Sequence, residues 1–161
     1  MSSVLDAKAY SEYLSGLYDT NVTLGSALYE YDSPRAFNGD GYSISIYELP
    51  ANIRSRFESA DERLLTEFPK RPSYRDRWNS QHWREAPFDT KFEKYLDFAL
   101  SRYDEDRTGL SSQFQAIREA LSRKRTYYAF FTYDHGDHPG NIDLFIVDLE
   151  GGRLYSINHN T

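Results

Sequence analysis

The densest apolar patterning in the chain lies between residues 125 and 161 and predicts three successive strands. They are T-Y-Y-A-F-F-T-Y over 126–133, I-D-L-F-I-V-D-L over 142–149 and R-L-Y-S-I-N-H over 153–159. In the middle strand Ile142, Leu144 and Ile146 face one way, and Phe145, Val147 and Leu149 face the other. A strand that is apolar on both sides belongs inside a sheet covered on both faces. Gly151-Gly152 predicts a two-residue hairpin loop, because both glycines accept positive φ. Pairing Glu150 with Arg153 then sets His159 opposite Leu144, near the loop that precedes Ile142. A loop that starts one residue earlier shifts the facing residue by two and keeps His159 near that loop.

Upstream, residues 4–18 place Leu5, Ala9, Tyr13, Leu14 and Leu17 at helical spacing. Residues 28–32 form a short strand that Ser33-Pro34 ends. Asn38-Gly39-Asp40-Gly41 is turn chemistry. Residues 42–49 then alternate, with Tyr42, Ile44 and Ile46 against Ser43 and Ser45, as a half-buried antiparallel strand does. Pro50 suits the first turn of a helix. Ile53, Phe57, Ala60, Leu64 and Phe68 continue one apolar stripe to Pro69. Residues 69–87 have no period and hold three prolines, which predicts a long ordered loop with at most one helical turn. Phe88, Phe92, Tyr95, Leu96, Ala99 and Tyr103 mark a further helix. Ser112 and Gln115 resemble a capping box ahead of Phe114, Ile117 and Leu121, and Arg123-Lys124-Arg125 complement the dipole at that helix end.

The strand links are hairpin-like and the helices form a block between strands. That predicts an α+β fold, a mainly antiparallel sheet with about four helices packed on it, in a single domain over 1–161. No dinucleotide-binding or phosphate-loop glycine motif is present.

Composition narrows the chemistry. The 161 residues are enough to bury a core. Without cysteine there is no disulfide and no thiolate metal site. No apolar run approaches the roughly 20 residues of a membrane span. The start M-S-S-V-L-D-A-K-A-Y does not read as a secretion signal, so a soluble cytoplasmic protein is the expectation. No cofactor is implied.

The net charge of −6 opposes duplex nucleic-acid binding, which needs cations against phosphate. The charge is uneven. Residues 69–84 hold five Lys or Arg against Asp76, a net of +4, which leaves −10 on the remainder. Fourteen tyrosines and ten phenylalanines supply a Tyr-rich core or an interface skin.

Three groups carry candidate chemistry. Asp134, His135, Asp137, His138 and His159 bring imidazole and carboxylate together as ligands for a divalent metal, or as a base with an orienting acid. The same D-H-G-D-H-P-G run also reads as a solvated turn. The second group is the basic aromatic loop, with Lys70, Arg71, Tyr74, Arg75, Arg77, Trp78, His82, Trp83 and Arg84. Its composition is that of an interface hot spot, and it could also grip phosphate or single-stranded nucleic acid. Alternatively the two tryptophans staple the interior while the arginines pair with the chain's own acids. The third group is acidic: Asp97, Asp104, Glu105 and Asp106, with Asp32 and Asp40 in loops. It is either a solvated face or a surface that steers a basic partner.

Nucleophilic catalysis lacks a Cys or a G-x-S-x-G, and no pair of opposed carboxylates can be placed. The expected function is an acidic binding and inhibitory protein without chemistry of its own. Its concrete form is a toxin-neutralising immunity protein that blocks a partner with a basic surface. The competing expectation is a small metal-dependent hydrolase or nuclease built on His135, His138 and His159.

Overall fold

The computed structural model describes residues 3–33, 41–101 and 109–161. Its elements are α1 (Ser3–Tyr18), β1 (Tyr29–Asp32), β2 (Gly41–Glu48), α2 (Ala51–Glu58), α3 (Glu62–Glu67), β3 (Asn79–Glu85), α4 (Glu93–Ala99), α5 (Leu110–Ala120), β4 (Thr126–His135), β5 (His138–Asp148) and β6 (Arg153–Asn160). Short 3-10 turns cover Ser73–Arg75 and Thr90–Phe92. The six strands form one sheet in the order β1-β2-β6-β5-β4-β3, and every neighbouring pair is antiparallel. This is an α+β fold, as the order of strand and helix patterns predicts. Among the described residues no helix is long and apolar enough to cross a membrane.

The predicted two-sided burial of β5 is what organises the layers. Ile142, Leu144 and Ile146 join Tyr42, Ile44, Tyr128 and Phe130 under α4 and α5, which contribute Leu96, Phe114 and Ile117. Phe145, Val147 and Leu149 join Ala129, Phe131 and Leu154 under α1, α2 and α3, which contribute Leu17, Ile53 and Leu64. Burying side chains of this size is worth about 1.5–3 kcal/mol each, so the two clusters fix the sheet between two helical layers.

Several local expectations are corrected. The β5–β6 turn holds four residues, because the Asp148 carboxylate bends back to accept from the Gly151 amide at 2.8 Å. Arg153 therefore faces Asp148, and His159 faces Ile142 rather than Leu144. A Cβ on Gly151 would lie 2.3 Å from that carboxylate, so this position is closed to larger residues.

The stripe expected to run unbroken from Pro50 to Phe68 is two helices. Asp61 caps α3 by accepting from the Leu64 amide at 3.0 Å, so the chain breaks just before it. The helix expected from Phe88 begins only at Glu93, after Asp89 caps the preceding 3-10 turn; Tyr103 lies outside the described residues. Ser112 sits inside α5, whose cap is Gly109 at φ 78. In α1, Leu14, Leu17 and Tyr18 are buried and Tyr13 half-buried, but Ala9 and Tyr10 are exposed. Arg123, expected to serve the dipole at the end of α5, pairs with the buried Asp148 at 3.1 Å.

The largest correction is β3, which occupies residues 79–85 of the stretch that the sequence presents as loop. It is an edge strand with Trp83 as its only buried residue, so it shows no alternation. Its amide at Trp83 donates to the Phe68 carbonyl at 3.0 Å, which ties the outer edge to the end of α3.

Candidate functional site

The histidine loop is the first group to place. β4 and β5 are joined by only Gly136 and Asp137, with Gly136 at φ 66. His135 and His138 face each other across this turn and are exposed. The His135 ring lies over Gly140, where a Cβ would meet it at 2.6 Å, and edges against Tyr133. His138 is 3.6 Å from Asp137.

His159 is elsewhere. It is buried, its ring stacks on Phe98 at 4.1 Å, and its Nδ1 is 2.9 Å from the Phe98 carbonyl oxygen. It opposes Ile142, four residues along β5 from His138, roughly 13 Å at the rise of an extended strand. A zinc–nitrogen bond spans about 2.0–2.1 Å. Asp134 is also committed, since the Tyr95 hydroxyl donates to its two carboxylate oxygens at 3.0 and 2.9 Å. Burial first, and that carboxylate second, push the Tyr95 hydroxyl's pKa up. Among the described residues no three His, Asp or Glu side chains gather as metal ligands.

The acidic group is partly internal. Exposed Asp97 on α4 pairs with Arg118 of α5 at 3.1 Å, and Arg118 also reaches Glu93 at 3.6 Å. Asp32 ends β1 opposite Ser43. Asp40, Asp104, Glu105 and Asp106 lie outside the described residues.

The basic aromatic loop divides in two. Trp83 belongs to the interior. It is 1% exposed, donates its indole N–H to the Leu17 carbonyl at 2.7 Å, and meets Phe57 edge-on at 4.8 Å. Arg84 turns away toward Asp89 and the Phe92 ring. His82 is held neutral more strongly than a free imidazole, by burial and then by the charges of Lys70 and Arg84.

Residues 70–78 instead build a surface. The loop is anchored to α1 where the Lys70 amide donates to the Gly16 carbonyl at 2.7 Å. It is closed on itself by bonds from the Arg75 amide to Pro72 and from the Trp78 amide to Arg75, each 3.0 Å, and by the Arg71 guanidinium on the Trp78 carbonyl. The Arg75 guanidinium lies 4.3 Å from the Trp78 ring and 5.5 Å from the Tyr74 ring. Its charge is matched by Asp143, a buried carboxylate of β5 that also accepts from Asn158 of β6. Trp78 continues to Tyr133 at 6.5 Å. A row of planar groups thus crosses the loop and the sheet end, held from below by an ion pair between half-buried Arg75 and buried Asp143.

Tyr74 stands out from this row, 76% exposed. Two hollows flank it. One of about 710 Å³ lies between α1 and the loop, walled by Tyr10, Tyr13, Lys70, Arg71 and Tyr74. The other, about 370 Å³, is bounded by Tyr74, Arg77, Trp78, Tyr133 and Asn141. Burial raises the Tyr13 hydroxyl to about 12, against the opposing charge of Arg75. Arg77 is exposed and makes no ion pair among the described residues.

Tyr74, Arg75, Arg77 and Trp78 are singled out by sequence, and the structure brings them together. Tyr10, Tyr13, Tyr133, Asn141, Asp143 and Asn158 escape sequence reading. One signal was there: Asp143 interrupts a run predicted to be buried on both faces, and a buried carboxylate needs a cation. No family model, curated protein or solved structure matches this chain.

Proposed function

We propose that this protein works by binding another protein through the surface on either side of Tyr74, with no chemistry of its own. The observation that carries this reading is an exposed tyrosine on a loop whose neighbour, Arg75, is tied to a buried aspartate. An exposed ring on a mobile loop loses entropy on binding, whereas one on a fixed loop loses little. Tyr, Trp and Arg are also the residues that dominate interface energetics. The finer reading is a toxin-neutralising, immunity-type inhibitor. It is supported by the net charge of −6, which draws a basic partner to the chain at long range.

The test uses the purified full chain and a partner captured from the source cell. Association should slow as salt rises, since exposed charges are screened beyond about 8–10 Å. Tyr74→Ala and Trp78→Ala should each weaken the complex by about tenfold or more without unfolding the chain. A partner whose affinity ignores both substitutions would show that the contact lies elsewhere.

A further inference from the structure

Resting on that reading, we infer that the partner segment seated in the smaller hollow carries a carboxylate side chain next to an apolar one. The cations of the loop differ in what they have left to offer. Arg75 is matched by Asp143, Lys70 lies 3.7 Å from Glu67, and Arg71 is turned to the Trp78 carbonyl. Arg77 has no such partner among the described residues, and it stands beside the rings of Tyr74, Trp78 and Tyr133. A guanidinium binds a carboxylate through two parallel hydrogen bonds, a geometry that also fixes orientation. The neighbouring rings then take the apolar side chain, and the Asn141 side-chain amide on the same wall can meet a backbone group.

The local charge fits one such ligand. At the hollow itself Arg75 is matched by Asp143 and Asp76 lies on the rim, so among the described residues Arg77 supplies the one cation that a carboxylate would meet there. The same balance disfavours a nucleic-acid strand. A phosphate backbone needs several free cations along a track, and Asp76 lies on the rim of this hollow while Glu12 faces the other.

The experiment is a nuclear magnetic resonance titration of the isotopically labelled full chain with three probes. They are the blocked tetrapeptide Gly-Glu-Leu-Gly, its twin Gly-Gln-Leu-Gly, and a short oligothymidylate. The glutamate peptide should move the Trp78 indole and the Tyr74 and Arg77 amides with a dissociation constant on the order of 1–10 mM. The glutamine twin should bind at least about fivefold more weakly, a difference that Arg77→Gln should erase and Arg77→Lys should partly restore. Equal binding of the twins, no shift at those three residues, or tighter binding of the oligothymidylate overturns the inference. With a captured partner the two levels separate. Sensitivity to Tyr74→Ala but not to Arg77→Gln removes the acidic segment and leaves the binding surface. Insensitivity to both removes the surface itself.

Discussion

The two faces of the sheet are built differently. The face under α4 and α5 is apolar over the middle of the sheet, and its polar groups at Tyr42 and His159 bond within the fold, while the buried Thr126 hydroxyl at its edge has no partner among the described residues. The Tyr42 hydroxyl donates to the Ala99 carbonyl, and His159 is held against the Phe98 carbonyl. The face under α1, α2 and α3 is apolar only in part. Toward the ends of β5 and β6 it changes to Ser43, Asn158 and Asp143, which stand side by side across three strands. A helix cannot cover such a row without stranding its polar atoms. The cover there is a loop, joined through an arginine. Closure of the first face serves stability, while incomplete closure of the second leaves room to present Tyr74.

The sharpest way to break this contrast is to damage each face in turn. Phe130 is fully buried on the first face, between Phe92 at 5.2 Å and Tyr95 at 5.8 Å. Phe130→Ala should cost about 3–5 kcal/mol of global stability, read by denaturant unfolding. Asp143→Ala strips a partner from Arg75 on the second face. Breaking a fully buried pair costs about 3–5 kcal/mol, and Arg75 is partly exposed, so about 2 kcal/mol is expected. Its distinguishing mark should be local. Amide exchange across residues 73–78 should accelerate well beyond that of β5 itself. If exchange rises evenly over the whole sheet, the loop is not fixed by this pair and the two faces do not differ as described.

What could be read from sequence follows the same division. β2 was legible because burial of one face imposes a period of two on the residues, and β5 because burial of both faces makes a nearly continuous apolar run. β3 was not, because an edge strand with a single buried side chain leaves no period to read. The break between α2 and α3 was hidden because Ala60, Leu64 and Phe68 keep helical spacing across it, and only the capping chemistry of Asp61 marks the stop. In the site, residues 74–78 were visible from composition alone. Tyr13 and Asn158 were not, because they come to the site from distant elements, Asn158 by way of Asp143, which itself was marked only as a carboxylate within an apolar run. The histidines failed for the converse reason. Proximity along the chain and a hairpin register brought them near on paper, but the stacking of His159 under Phe98 takes it away from the turn.

The smallest expected effect tests how dry the second face is beneath the loop. Burial holds the Tyr13 hydroxyl at about 12, above its ordinary 10.0. The folded chain therefore keeps a proton that the unfolded chain releases. The stability tied to Tyr13 is complete below pH 10 and declines as the pH rises from 10 toward 12. Phenolate absorbance should show a tyrosine that titrates late in the folded chain, and Tyr13→Phe should remove it while making the alkaline decline less steep. Tyr18, pushed higher by deeper burial, should remain. If Tyr13 instead titrates with the exposed tyrosines, water reaches the wall between α1 and the loop. The larger hollow would then be an open cleft, and the fixed presentation of Tyr74 would depend on the Arg75–Asp143 pair alone.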